Sequence, residues 1–293
     1  MFAGTYTALV TPFRDDRFDE AAFVRLIESQ IAAGIDGIVP VGTTGESPTL
    51  DHAEHHRVIE LAVQTAKGRC KVIAGTGSNA TSEAVSLTVE AERLGADAAL
   101  LVAPYYNKPS QEGLFQHYRA IAQASKLPLI LYSIPGRCGI EIAVETVVRL
   151  AKECPTVVAI KEAGGSVERV SALRAVLPAS FEILSGDDSL TLPFISAGAV
   201  GVISVASNRI PFEVGALVKA ALAGDFASAS KLHFQYYALF KDLFLEPNPV
   251  PIKLALARMG LMTPDVRLPL CGMSEANRVR LESTLQSLNL LPA

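Results

Sequence analysis

The sequence predicts a (β/α)8 barrel followed by a helical appendage. Three observations carry this. Short apolar runs recur eight times between Thr5 and Val205. A helix-patterned segment separates each run from the next. Beyond the eighth run only helical patterns follow. Strands alternating with helices imply a parallel sheet, and eight such units are the number that closes a barrel.

The runs are Thr5–Val10, Gly37–Val41, Lys71–Gly75, Ala98–Ala103, Leu129–Ser133, Val157–Lys161, Phe181–Ser185 and Gly201–Val205. All but the first are almost continuously apolar, which marks strands covered on both faces. The helical segments are bounded by residues with a capping role. Asp19–Ala33 places Phe23, Leu26, Ile27 and Ile31 on one face and stops at Gly34. Asp51 with Glu54 forms a capping-box pattern that opens a helix running to Gly68. Thr81–Leu94 is stopped by Gly95, and further helices span Glu112–Ser125, Ala143–Glu153, Val167–Val176 and Leu190–Ala197. A doubly wound sheet is disfavoured, because the first strand ends in Thr11-Pro12-Phe13 with neither G-x-G-x-x-G nor a P-loop. The remaining helices, near 211–223, 225–245, 250–260 and 274–288, are too many for one closing helix. They divide the chain into a barrel over 1–224 and a helical domain over 225–293.

Composition narrows the function. Of the 293 residues, 49% are apolar and 19% charged, a globular balance, and 26 basic against 30 acidic residues give a formal charge of −4. This argues against broad nucleic-acid binding. The four cysteines, Cys70, Cys138, Cys154 and Cys271, lack zinc-site spacing and read as free thiols in a reducing compartment, hence a cytoplasmic protein. No signal peptide and no membrane span are expected.

In such barrels chemistry resides at the C-terminal strand ends. There the run VVAIKEAGG sets Lys161 near the end of a strand buried on both faces. Lysine is rarely buried unless paired, so one reading is an ion pair with Glu162 or Asp187. The other is a nucleophile: desolvation favours the neutral amine, which attacks a ketone and leaves an iminium as electron sink. Tyr132, one strand earlier, is either a barrel-mouth aromatic or a proton shuttle. Thr43 and Thr44, in Gly42-Thr43-Thr44-Gly45, offer hydroxyls and backbone N–H groups suited to a carboxylate, or an ordinary turn. Arg137 follows Pro135-Gly136 as a candidate carboxylate clamp, or as an exposed loop arginine.

With these residues in place the chain resembles the dihydrodipicolinate synthase family of pyruvate-dependent class I aldolases. The similarity runs along the whole sequence, through the stretches Val41–Ser47, Val72–Thr81, Pro104–Leu114, Ile160–Ala163, Leu184–Asp188, Gly201–Val205 and Glu246–Lys253. The resemblance implies a Schiff base between Lys161 and pyruvate, and a proton relay of Tyr132, Thr43 and Tyr106. Tyr106 would reach a neighbouring subunit, implying a homodimer or homotetramer. Thr44 and backbone near Ile203 would hold the pyruvate carboxylate, Gly186 joining the substrate-binding set, and Arg137 would bind the carboxylate of L-aspartate 4-semialdehyde. The reaction would serve diaminopimelate and lysine synthesis and needs no metal or organic cofactor. Ser133 and Cys138 depart from the Asn and Thr more usual in the family, which bears on the loop near the aldehyde.

The resemblance also implies a feedback site for lysine, from Ser47, His52, His55, Asn79, Glu83 and Tyr105. Pro48 departs from the small residue usual beside it and removes a backbone N–H. Solvated helix-face residues are the plainer reading of His52, His55 and Glu83. Two alternatives stand beside the synthase: a sister aldolase acting on N-acetylneuraminate or a keto-deoxy sugar acid, and a non-catalytic barrel sensing pyruvate or lysine.

Overall fold

The structure is a computed structural model that describes residues 1–291. Eight parallel strands close into a barrel in chain order. They are β1 Gly4–Ala8, β2 Gly37–Val39, β3 Lys71–Gly75, β4 Ala98–Val102, β5 Leu129–Ser133, β6 Val157–Glu162, β7 Glu182–Ser185 and β8 Gly201–Ser204. Closure pairs β8 with β1, Tyr6 opposite Ile203 and Thr7 opposite Ser204. Side chains alternate across a strand, so each contributes to two cores. Tyr6, Ile73, Ile130, Tyr132, Ala159 and Ile203 belong to an inner cluster filling the barrel. Leu101, Leu131, Ile160 and Ile183 belong to the outer cluster against the helices.

The helices are α1 Glu20–Ala32, α2 His52–Ala66, α3 Thr81–Leu94, α4 Gln111–Ala124, α5 Pro135–Cys138, α6 Val144–Glu153, α7 Val167–Val176, α8 Thr191–Ser196 and α9 Pro211–Leu222. Their ends obey the expected capping chemistry. Asp51 and Glu54 close a reciprocal capping box, and Gly95 ends α3 at φ 90°. Where boundaries differ from the sequence reading they do so by a few residues: β1 stops at Ala8 rather than Val10, and β6 extends to Glu162. The one-turn helix α5 and a two-residue ribbon, Phe13–Arg14 with Arg17–Phe18, carry too few residues for a periodic signal.

Helices α10 Phe226–Asp242, α11 Val250–Ala257 and α12 Glu275–Ser287 follow the barrel. α10 packs on α9 and α12. The chain around α11 then reaches back to the loop after β2. Lys253, 0% exposed, forms an ion pair with the buried Glu46 and donates to the Asp265 carbonyl at 2.8 Å. The Arg267 N–H bonds the other Glu46 oxygen at 3.0 Å, and its guanidinium grips both Glu54 oxygens at 2.6 Å. The four cysteines are free. Among the described residues no helix is long and apolar enough to cross a membrane.

Removing one partner of a buried pair strands the other charge, at a cost of about 3–5 kcal/mol. Lys253→Met is therefore expected to lower the unfolding midpoint sharply, and adding Glu46→Gln to recover much of the loss. Denaturant unfolding of both variants checks this; a Lys253→Met protein as stable as the parent would sink it.

Candidate active site

Lys161 is the inward residue next beyond Ala159 on β6, opposite Tyr132 of β5 and Leu184 of β7. It is 6% exposed, and its Nζ stands 4.1 Å from the centre of the Tyr132 ring. Its phase on the strand depends on an irregularity: Leu129 faces Val157, yet Ile130 faces Ala159, so β6 carries one extra residue. Gly186 clears the space beside it. A Cβ there would stand 3.0 Å from Lys161 Cε and 2.7 Å from the Ala163 side chain.

The structure corrects the ion-pair reading of this lysine. Glu162 faces the opposite side of the strand, where it bonds Arg169 at 2.8 Å and the Gly164 N–H at 2.7 Å. Asp187 accepts from the N–H and hydroxyl of Ser189, both at 2.8 Å. No carboxylate stands at ion-pair distance from Lys161 among the described residues. Burial consequently pushes its ammonium down to about 7; the more distant Asp188 opposes that shift, and Arg137 adds to it. Tyr132 is pushed up to about 12 by burial, with Arg137 and the Thr43 hydroxyl pulling it partly back. The phenol thus keeps its proton at neutral pH and can donate it.

Sequence alone assigns Asp188 no role. Its buried carboxylate accepts hydrogen bonds from the Ser204 hydroxyl, the Val205 N–H at 3.0 Å and the Ala206 N–H at 2.9 Å. It fixes the end of β8 beside Ile203 and sets a negative charge toward Lys161. Burial, opposed by those donors, holds its pKa near 6.

Thr43, Tyr132 and Arg137 line one cavity of about 400 Å³. The turn α5 delivers Arg137 to it, exposed, and the buried Cys138 lines the same cavity. The same cavity is walled by Ser47, His52, His55, Glu83 and Tyr105. Asn79 is not part of that wall; its carbonyl accepts from the Asn107 amide at 2.8 Å. Glu83 bonds His52 at 2.9 Å and takes the Ser78 hydroxyl. Burial lowers His55 to about 4, so the ring is neutral; its Nε2 donates to the Gly75 carbonyl at 2.9 Å, and Nδ1 has no partner.

Thr44 is buried, and its hydroxyl accepts from the Asn248 amide at 2.9 Å. Ile203 lies in the inner cluster on β8. Tyr106 is 90% exposed at φ 73° and does not line the cavity of its own chain. The signal that singles out Lys161, a lysine within an apolar run, also stands at Lys253 in VPIKLALA. Asn248 carries no such mark.

The geometry agrees with what the comparisons find. Residues 1–288 match the model of the Dihydrodipicolinate synthetase family. The 4-hydroxy-tetrahydrodipicolinate synthase of Endomicrobium trichonymphae is 50% identical over 291 residues, covering 99% of this chain and all of that one. The structure of the same-named enzyme from Methylacidiphilum fumariolicum SolV superposes with a TM-score of 0.97 at 53% identity over the full length of both chains. A Cyanidioschyzon merolae structure with lysine bound superposes with a TM-score of 0.96 at 40% identity over 99% of both. A fold, a buried strand-end lysine and full-length similarity all lead to one assignment: the chain belongs to the dihydrodipicolinate synthetase family.

Proposed function

We propose that this chain is a 4-hydroxy-tetrahydrodipicolinate synthase, a lyase of the class I aldolase type. It condenses pyruvate with L-aspartate 4-semialdehyde for diaminopimelate and lysine synthesis in the cytoplasm. The observation that carries the reading is Lys161: buried, without an ion-pair partner among the described residues, and pushed by burial to a pKa of about 7 against the Tyr132 ring.

The steps follow from these groups. Neutral Lys161 attacks the pyruvate ketone, and Tyr132, relayed by Thr43 and by Tyr106 of a second copy, protonates the departing hydroxide as water. The cationic iminium lies in the field of Asp188. The Tyr132 phenolate takes a methyl proton to give the enamine, whose carbon attacks the aldehyde; the phenol returns that proton to the new alkoxide, and attack of the product's own amine on the iminium closes the ring and releases Lys161 as the free amine. Arg137 holds the carboxylate of that aldehyde, while Thr44, Gly186 and backbone near Ile203 hold pyruvate. The amine is itself the electrophilic catalyst, so the chemistry calls for no metal or organic cofactor. Exposed Tyr106 supports an assembly of at least two copies, a homodimer or a homotetramer built from it. Ser47, His52, His55, Asn79, Glu83 and Tyr105 form the proposed feedback site. His55 Nδ1 and Glu83 provide acceptors for a ligand ammonium, and His55 bonds Gly75, close to the Val41–Thr43 turn.

Pyruvate with borohydride is expected to label Lys161 irreversibly. Lys161→Ala is expected to abolish both labelling and condensation with the semialdehyde. Intact mass and a condensation assay check this; a folded parent that neither labels nor condenses would overturn the reading and point to sugar-acid aldehydes or a sensor.

Labelling should depend on pH. Protonation of Lys161 removes the nucleophile, so the rate should fall about tenfold for each pH unit below the amine pKa and level off above it. Because the positive Arg137 depresses Lys161, Arg137→Met should move that limb to higher pH. A rate flat from pH 5 to 9 would contradict the assignment of Lys161.

Millimolar L-lysine should inhibit the enzyme, and Glu83→Gln should weaken that inhibition. Unchanged activity across that range would remove the feedback site.

A further inference from the structure

The bond between Asn248 and Thr44 joins residues 204 positions apart and is buried on both sides, with Thr44 3% and Asn248 6% exposed. A hydroxyl has one proton to give and lone pairs with which to accept. Here the Asn248 Nδ2–H occupies an acceptor site on Thr44 Oγ1, and among the described residues the Thr44 hydroxyl donates to nothing. Its proton is therefore uncommitted within the chain's described residues. We propose that Asn248 is a positioning residue: it turns the Thr44 hydroxyl into an obligate donor toward the substrate carboxylate. This deepens the reading of the chain as a pyruvate-condensing enzyme and rests on it.

Two further features point the same way. Asn248 Oδ1 is buried without a partner among the described residues, a loss that a residue kept only for stability would avoid. The opposite amide orientation would take the Thr44 proton away from the substrate and leave both Nδ2 protons unbonded. The scaffold also holds Asn248 in place. It lies between Pro247 and Pro249, just before α11, whose Lys253 is anchored on Glu46 two residues from Thr44. Polarity distinguishes this role from packing. An aspartate in place of Asn248 fills the same volume but, when ionised, only accepts. It would draw the Thr44 proton inward and set a negative charge beside the carboxylate.

The test uses the full-length enzyme and two readouts of pyruvate: the concentration that half-saturates borohydride labelling, and the KM in condensation. Asn248→Ala should raise both about tenfold, the loss expected for one hydrogen bond to a charged group. Asn248→Asp should raise them further, with kcat falling less than KM rises and the KM for the aldehyde held. In a Thr44→Val background Asn248→Ala should add nothing, because the effect passes through the missing hydroxyl. Thermal melts show which variants fold; if Asn248→Asp does not, Asn248→Ser and the Thr44→Val cycle carry the decision. Equal effects of Ala and Asp, full additivity with Thr44→Val, or unchanged pyruvate saturation would each overturn the proposal while leaving the enzyme assignment intact. A parent protein that does not label with pyruvate would overturn the assignment, and the proposal with it.

Discussion

An ammonium cannot be kept dry cheaply without an anion at contact, and Lys161 has none among the described residues. The two buried lysines among the described residues, Lys161 and Lys253, make the point by contrast. Burial depresses both, but Lys253 meets the Glu46 carboxylate, which opposes the shift and keeps it an ion-pair partner. Lys161 meets an aromatic ring, and its nearest acidic influence, Asp188, is occupied by three donors at the end of β8. That arrangement is a compromise between two demands. Desolvation makes the free amine available near neutrality. The charge on Asp188 favours the cation, and an iminium carries the same charge as an ammonium, so the same field would assist the intermediate of the proposed reaction. An ion pair at contact would satisfy the second demand and defeat the first.

The loop that completes the site is held from the far end of the chain. Glu46 adopts φ 54°, a left-handed conformation that costs a residue with a side chain about 1–2 kcal/mol. Its carboxylate offsets that cost by joining Lys253 and the Arg267 N–H. In the same turn Thr44 is bonded by Asn248. The helical segment after the barrel is therefore part of the machinery that shapes the Thr43–Thr44 turn. An excision that removed it would leave Glu46 strained, charged and without its partners.

Much of this was legible in the sequence because it rests on local rules. Apolar runs gave the eight strands, and Asp51 with Glu54 and Gly95 marked helix ends where the structure has them. Strand-end position picked out Tyr132, Thr43 and Arg137, which line one cavity, and Lys161, which stands against the Tyr132 ring. What was not legible depends on pairings distant in sequence. Nothing near Glu46 says that it meets Lys253, and nothing near Asn248 says that it meets Thr44. Glu162 shows the converse error: adjacency in sequence suggested a partner for Lys161, but neighbours on a strand face opposite ways.

The register of β6 shows why even the choice of the proposed nucleophile needs the folded chain. Val157 faces the helices, so strict alternation from it would place Val158 inside, Ala159 outside, Ile160 inside and Lys161 outside, against the helix layer. The observed strand breaks that phase: Val157 and Ile160 lie in the outer cluster, while Ala159 lies in the inner one. The extra residue opposite the Leu129/Ile130 step accounts for the change. A one-residue slip turns every later side chain to the other face, and such irregularities are uncommon in parallel sheets. The apolar run VVAI conceals the slip, since each of its residues is acceptable on either face. Lys161 is the first residue after the slip for which the face matters, and the same shift that turns it inward turns Glu162 out to Arg169. One inserted residue thus separates the amine from its neighbouring carboxylate and makes a lysine without a partner possible.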